Sequence, residues 1–175
     1  MQFVVLLRGV NAGPRNRVKM DELRAALEQA GFESVRTHVQ SGNVVLTHRG
    51  DAAAVAAGVR KVLGDRFALD VGVVVRDEQA MRAIVADNPL REIATDGQRH
   101  FVIFCSEAAD PGRLPDVAAP EVLAARGTEL HAWCPNGVRD GKLMGALGRR
   151  PPAPETTFRN WNTVAKLASM LDESE

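Results

Sequence analysis

The alternation of two kinds of hydrophobic spacing is the strongest constraint on what this chain can fold into. FVVLL (3–7) is apolar at every position, which predicts a strand buried on both faces. Met20, Leu23, Leu27 and Ala30 then recur at steps of three and four, a helical spacing that Gly31 would close. VRTHVQSGNVVLTH (35–48) reads as two strands around a Ser41-Gly42 turn. With pairing centred there, Val35, Thr37, Val39, Val44 and Leu46 share one face, and Arg36, His38, Gln40, Asn43, Val45 and Thr47 the other. Asp51 can cap a second helix with Val55, Val59, Val62 and Leu63 facing inward. VGVVV (71–75) supplies a fourth strand. Strand, helix, strand, strand, helix, strand is the split β-α-β unit of a ferredoxin-like fold, so the chain is expected to be α+β.

Asp77 can start a third helix, ended by Asn88-Pro89. The polar stretch that follows places a boundary between a ferredoxin-like subdomain, 1–90, and a smaller α+β subdomain, 91–175, packed on it. The second half opens with a strand in HFVIFC (100–105). It continues through a loop to a hairpin in EVLAARGTELHAWC (121–134), turning at Gly127-Thr128. KLMGALG reads as a short helix. A last helix is expected to start near Asn160 or Asn162, with Trp161, Val164, Ala168 and Leu171 as its apolar stripe. Strand, connection, hairpin and helix loosely repeat the first half.

Bulk composition excludes several classes. The 175 residues are 45% hydrophobic, and 22 Lys+Arg balance 22 Asp+Glu. A near-zero net charge argues against a protein coated in basic residues. Cys105 and Cys134 are 29 positions apart with no metal-ligand spacing around them. Arg8 interrupts the apolar start, and no apolar run approaches the roughly 20 residues of a membrane span. The expectation is a cytoplasmic protein with reduced thiols, no membrane partner and no cofactor. GxxxxGK[ST], HExxH and GxSxG are absent.

Three polar clusters carry the candidate chemistry. Arg8, Asn11, Arg15, Arg17 and Lys19 follow a buried strand and feed a helix, a usual place for ligands in sheet proteins. Arg holds phosphate or carboxylate through two hydrogen bonds, and a helix start adds partial positive charge. Gln40, Ser41 and Asn43 form the second cluster, which hairpin-turn chemistry also explains. Arg159, Asn160 and Asn162 form the third. There an Asn serves equally as a helix cap, while Arg159 adds positive charge to an already positive helix end.

These same residues carry a family resemblance. LLRGVNAGPRNRVKMDELRAALEQAGFESVRTHVQSGNVVL, CPNGVRDGKL and RNWNTVAKL resemble the N-terminal, middle and C-terminal blocks of the bacterial family catalogued as domain of unknown function 1697. The resemblance implies an α+β protein with a ferredoxin-like first half and no established activity. It differs from the family pattern at Pro14, where a second Gly is usual, and at Gly141, where Ser usually precedes the Lys. The latter removes a hydroxyl that could have served as a nucleophile.

The expectation from sequence is therefore that Arg8, Asn11, Lys19, Gln40, Ser41, Asn43, Arg159, Asn160 and Asn162 converge on a cleft between the halves. Its ligand would be anionic: a phosphate-bearing small molecule, a nucleotide or a nucleic-acid segment. Two alternatives stand beside it: an enzyme on a phosphorylated substrate using cations and amides, and a purely structural role for the polar motifs.

Overall fold

The computed structural model describes residues 1–172 and is mixed α+β, with two four-stranded antiparallel sheets. Its backbone divides into two compact units. The first holds Met1–Ile84 and the residues from Leu167 onward; the second holds Val85–Lys166.

In the first unit, β1 (Gln2–Leu7) leads to α1 (Met20–Gln29), β2 (Glu33–His38), β3 (Asn43–Thr47), α2 (Ala52–Phe67) and β4 (Val73–Asp77); α3 (Glu78–Ala86) follows. The strands lie in the order β2-β3-β1-β4. Continuous apolarity in β1 puts it in the interior of the sheet, where both faces need cover. Phe3, Val5 and Leu7 join the α1 and α2 residues Leu23, Leu27, Val55, Val59 and Leu63 in one core, while Val4 and Leu6 are equally buried on the opposite face. Asp51 caps α2 by accepting the Ala54 N–H, and Asp77 accepts the Ala80 N–H at the start of α3.

Three local readings differ from the structure. The 35–48 hairpin does not turn on two residues: Val39–Gly42 form a four-residue loop, and His38 sits opposite Asn43. Gln40 therefore leaves the sheet face, and Val39, expected on the core face, is 53% exposed with φ +53. The fourth strand starts two residues late, because Val71 and Gly72 belong to the approach.

In the second unit, β5 (His100–Cys105) is followed by a 3-10 turn at Pro111–Arg113. Then come β6 (Val122–Arg126), β7 (Glu129–Trp133), α4 (Gly137–Asp140), α5 (Leu143–Arg149), β8 (Thr156–Asn160) and α6 (Trp161–Asp172), whose residues from Leu167 onward belong to the first unit. The strand order is β6-β7-β5-β8, the first unit's order with a loop in place of the first helix. Pro111, Pro115 and Pro120 explain that loop, since each removes a backbone donor. The hairpin turns at Gly127, φ +58, as expected. β8 was not expected at all: its inward residues are Thr157 and Arg159, whereas Phe158 points out, 49% exposed. An inverted hydrophobic pattern hides a strand from any reading that looks for apolar alternation.

Candidate functional site

The loop between β1 and α1 is pinned at both ends. The Asn11 N–H donates to the Asn16 carbonyl at 3.1 Å. The Asn11 side chain then bridges to the start of α1. Its Nδ2 donates to the Val18 carbonyl at 2.8 Å, and its Oδ1 accepts the Val18 N–H at 2.9 Å. The same Nδ2 donates to the Gln40 carbonyl at 2.7 Å, tying the loop to the hairpin. Val10 and Val18 are buried beside these contacts. Asn11 and Asn16 both take φ near +57, a conformation that Asn tolerates better than most residues.

What this frame displays is charge. Arg8, Arg15, Arg17 and Lys19 are all exposed, and among the described residues none makes an ion pair or a side-chain hydrogen bond. Lys19 is the N-cap residue of α1 and caps through its backbone alone. Asp21 and Glu22 occupy the first turn of that helix and answer its dipole.

The hairpin loop lies against this segment. The Leu7 N–H donates to the Gly42 carbonyl at 2.9 Å, and a Cβ on Gly42 would lie 2.8 Å from the Leu7 Cβ. Gly42 also needs φ +82, so this position is glycine for two independent reasons. Asn43 is buried, and its Nδ2 closes the loop onto the His38 carbonyl at 3.1 Å. Gln40 and Ser41 are exposed. The fold thus brings Arg8, Asn11, Gln40, Ser41 and Asn43 into one region of the first unit. The amides of Asn11 and Asn43 are engaged in holding it together.

The third cluster belongs to the second unit. Arg159 is 9% exposed on β8, where its Nη1 donates to Thr157 Oγ1 and to the Phe158 carbonyl, both at 2.8 Å. Burial pulls its guanidinium down from the ordinary Arg value to about 10. Arg159 is therefore a strand residue facing inward and does not flank the helix start from a loop. Asn160 caps α6, its Oδ1 accepting the Thr163 N–H at 2.9 Å. Asn162 is exposed, with its side chain packed on Gly97.

Sequence reading missed the most polar interior of the molecule. His100 on β5 and His131 on β7 are each 1% exposed and share a hydrogen bond, Nε2 to Nδ1, at 3.0 Å. Trp161 stacks on His100 with ring centroids 4.8 Å apart and planes 3° from parallel. Burial lowers both imidazoles to about 4; for His131 the neighbouring His100 adds to the effect. The only sequence signal was the alternation of His131 with Leu130 and Ala132, which puts it on one side of a strand. Cys134 is also buried, and burial beside the Glu121 carboxylate pushes its thiol up to about 12. Glu121 in turn caps α5 by accepting the Lys142 and Leu143 N–H groups. Among the described residues no group of three or more His, Cys, Asp or Glu side chains is placed to hold a metal ion. No helix among them is long and apolar enough to cross a membrane.

A family model described as a protein of unknown function, DUF1697, matches residues 1–131. That span includes the cationic loop and the hairpin but not the 159–164 block. A conserved bacterial protein from Streptococcus pneumoniae has a similar structure: the TM-score is 0.77 at 22% identity, covering 97% of this chain and 98% of that one. At that identity the likeness is one of fold. No curated protein matches the sequence.

Proposed function

The chain belongs to the DUF1697 family, whose description carries no activity, and on that premise we propose that its first unit binds an anionic, phosphate-bearing ligand on the loop from Arg8 to Lys19. One observation carries the reading: four exposed cations, without partners among the described residues, stand on a loop whose shape is fixed by a separate residue, Asn11. A loop held in place before the ligand arrives has less ordering entropy to lose on binding. Arg8 and Lys19 flank the pinned segment and supply charge; Gln40 and Ser41 on the adjoining hairpin loop supply hydrogen-bonding groups. Two or three charge-assisted contacts of roughly 1.5–3 kcal/mol each suffice for micromolar affinity.

A structural reading holds for the amides. Asn11, Asn43 and Asn160 each spend their side chains on backbone groups of this chain, so their role is architectural. The two readings divide the polar motifs between them: the loop cations, with Gln40 and Ser41, for the ligand, and Asn11, Asn43 and Asn160 for the scaffold.

Thermal unfolding with inorganic phosphate, pyrophosphate and ATP tests the division. Wild type should gain about 2.7 kcal/mol when the anion reaches a hundred times its dissociation constant. An Arg8→Ala, Lys19→Ala double variant should keep its unliganded melting temperature and lose the gain. If no anion shifts the wild type, or the double variant shifts equally, the proposal fails.

A further inference from the structure

Resting on that reading, we propose that the ligand is the phosphodiester backbone of a nucleic acid, bound along the loop without regard to sequence and with one base edge against Val39. A compact phosphate monoester is held by convergent, enclosed donors. This loop offers the opposite arrangement. The Asn11 amide and the backbone N–H groups of Asn11 and Val18 are spent on the chain's own loop and hairpin. What the loop displays is a series of side chains distributed along the chain: Arg8 ahead of the pinned segment, Arg15 and Arg17 on it, and Lys19 behind it, every one exposed. Distributed, solvent-facing cations suit a polymer that carries its charges in series. They gain their binding free energy by releasing counterions from it. The net charge of the whole chain is zero, so attraction to a polyanion has to come from this local patch and not from a general field.

Val39 supplies the second observation. It is an apolar, β-branched residue in the left-handed region, φ +53, and it is 53% exposed. Neither feature serves the first unit's core, and a β-branched residue at positive φ is an outlier that surrounding structure must enforce. It is enforced here. The next residue, Gln40, has its carbonyl gripped by Asn11, and Gly42 is packed on Leu7. The contact that fixes the cationic loop therefore also fixes an apolar side chain outward beside it. Apolar surface bordering cations is what a base attached to a phosphate chain can use, and inorganic phosphate cannot.

Fluorescence anisotropy of the full-length chain with end-labelled 20-nucleotide oligomers, single-stranded and duplex, tests this over a salt series. Four contacts predict a slope of log affinity against log salt near −3 on single strands, from about −0.7 per phosphate contact, and slightly steeper on duplex. Arg15→Ala with Arg17→Ala, two exposed side chains without partners among the described residues, should roughly halve that slope. Val39→Gly relieves the backbone conformation. It should raise the melting temperature while weakening single-strand binding severalfold at unchanged slope, an opposition that a merely structural Val39 would not produce. A wild-type slope shallower than −1, or a slope indifferent to the double substitution, overturns the inference. Pyrophosphate binding as tightly as the oligomers, with its binding lost in the Arg8→Ala, Lys19→Ala variant, also overturns it while leaving the anion-binding reading intact. Absence of binding by every anion removes both.

Discussion

The two units arrange their strands in the same order and treat charge in opposite ways. In the first, β1 is apolar on both faces and four exposed cations stand outside, on a loop. In the second, one face of the sheet carries His100, Glu129, His131, Thr157 and Arg159, all at most 9% exposed. Pairing places them together. Val102 lies between His131 and Arg159, and Phe104 between Glu129 and Thr157. An exposed cation costs the fold nothing and stays available to a ligand. A buried polar group must be satisfied internally, and it then reports on the interior alone. Similar strand order is therefore no guide to where function lies. The first unit is built to display its polar groups, the second to hide them.

The sharpest break between the units should come from acid. His100 and His131 titrate near 4 in the folded protein, against about 6.5 in an unfolded chain. Between those values the unfolded state binds more protons, so stability falls as pH falls. The contribution is whole above about pH 6.5 and lost as pH drops through 4. At 1.36 kcal/mol per pH unit, one such histidine is worth on the order of 3 kcal/mol. The Arg126–Asp87 ion pair, at 3.4 Å, is the other charged neighbourhood acting on His131. Urea unfolding between pH 7 and 4 should show the second unit failing first. A His131→Ala variant, weaker at pH 7, should have a flatter profile. A wild-type profile flat down to pH 4.5 would contradict the buried, neutral pair.

The same contrast explains what could be read from sequence. The first unit was legible because its signals agree: β1 is apolar throughout, α1 and α2 keep helical spacing, and Asp51 and Asp77 cap where expected. The second was legible at β5, at the β6–β7 hairpin with its Gly127 turn, and at the apolar helix faces. β8 escaped notice because Arg159 points inward and Phe158 outward. The His100–His131 contact escaped because the two residues are 31 positions apart and nothing local marks either as buried. In the candidate site, residue types were readable and their roles were not. Asn11 and Arg8 look alike as polar loop residues, and only the folded structure separates the side chain making three hydrogen bonds from the one that makes none among the described residues.

That separation gives the next effect in size. Asn11→Ala removes three hydrogen bonds of about 1 kcal/mol each and leaves a residue less suited to φ +57. A loss of about 3 kcal/mol follows, measurable by urea unfolding and confined to the first unit. Asn11→Asp keeps only the acceptor for the Val18 N–H and should lose somewhat less. If Asn11→Ala costs under 0.5 kcal/mol, the loop is not pinned as described.

The smallest expected effect is also the one that discriminates most. Arg8→Ala removes a side chain that touches no acid, carbonyl or amide among the described residues. Its backbone N–H still donates to the Gly72 carbonyl at 2.9 Å, so the end of β1 stays paired. Stability should change by less than about 0.5 kcal/mol, as for surface substitutions without partners. Set beside Asn11→Ala in the same unfolding experiment, this is a comparison of neighbours with opposite fates. A large loss at Arg8 would mean that the cation supports the fold after all, and the case for a ligand on this loop would lose its main observation. No loss, together with reduced anion binding, would place the Arg8 side chain where only a second molecule gives it something to do.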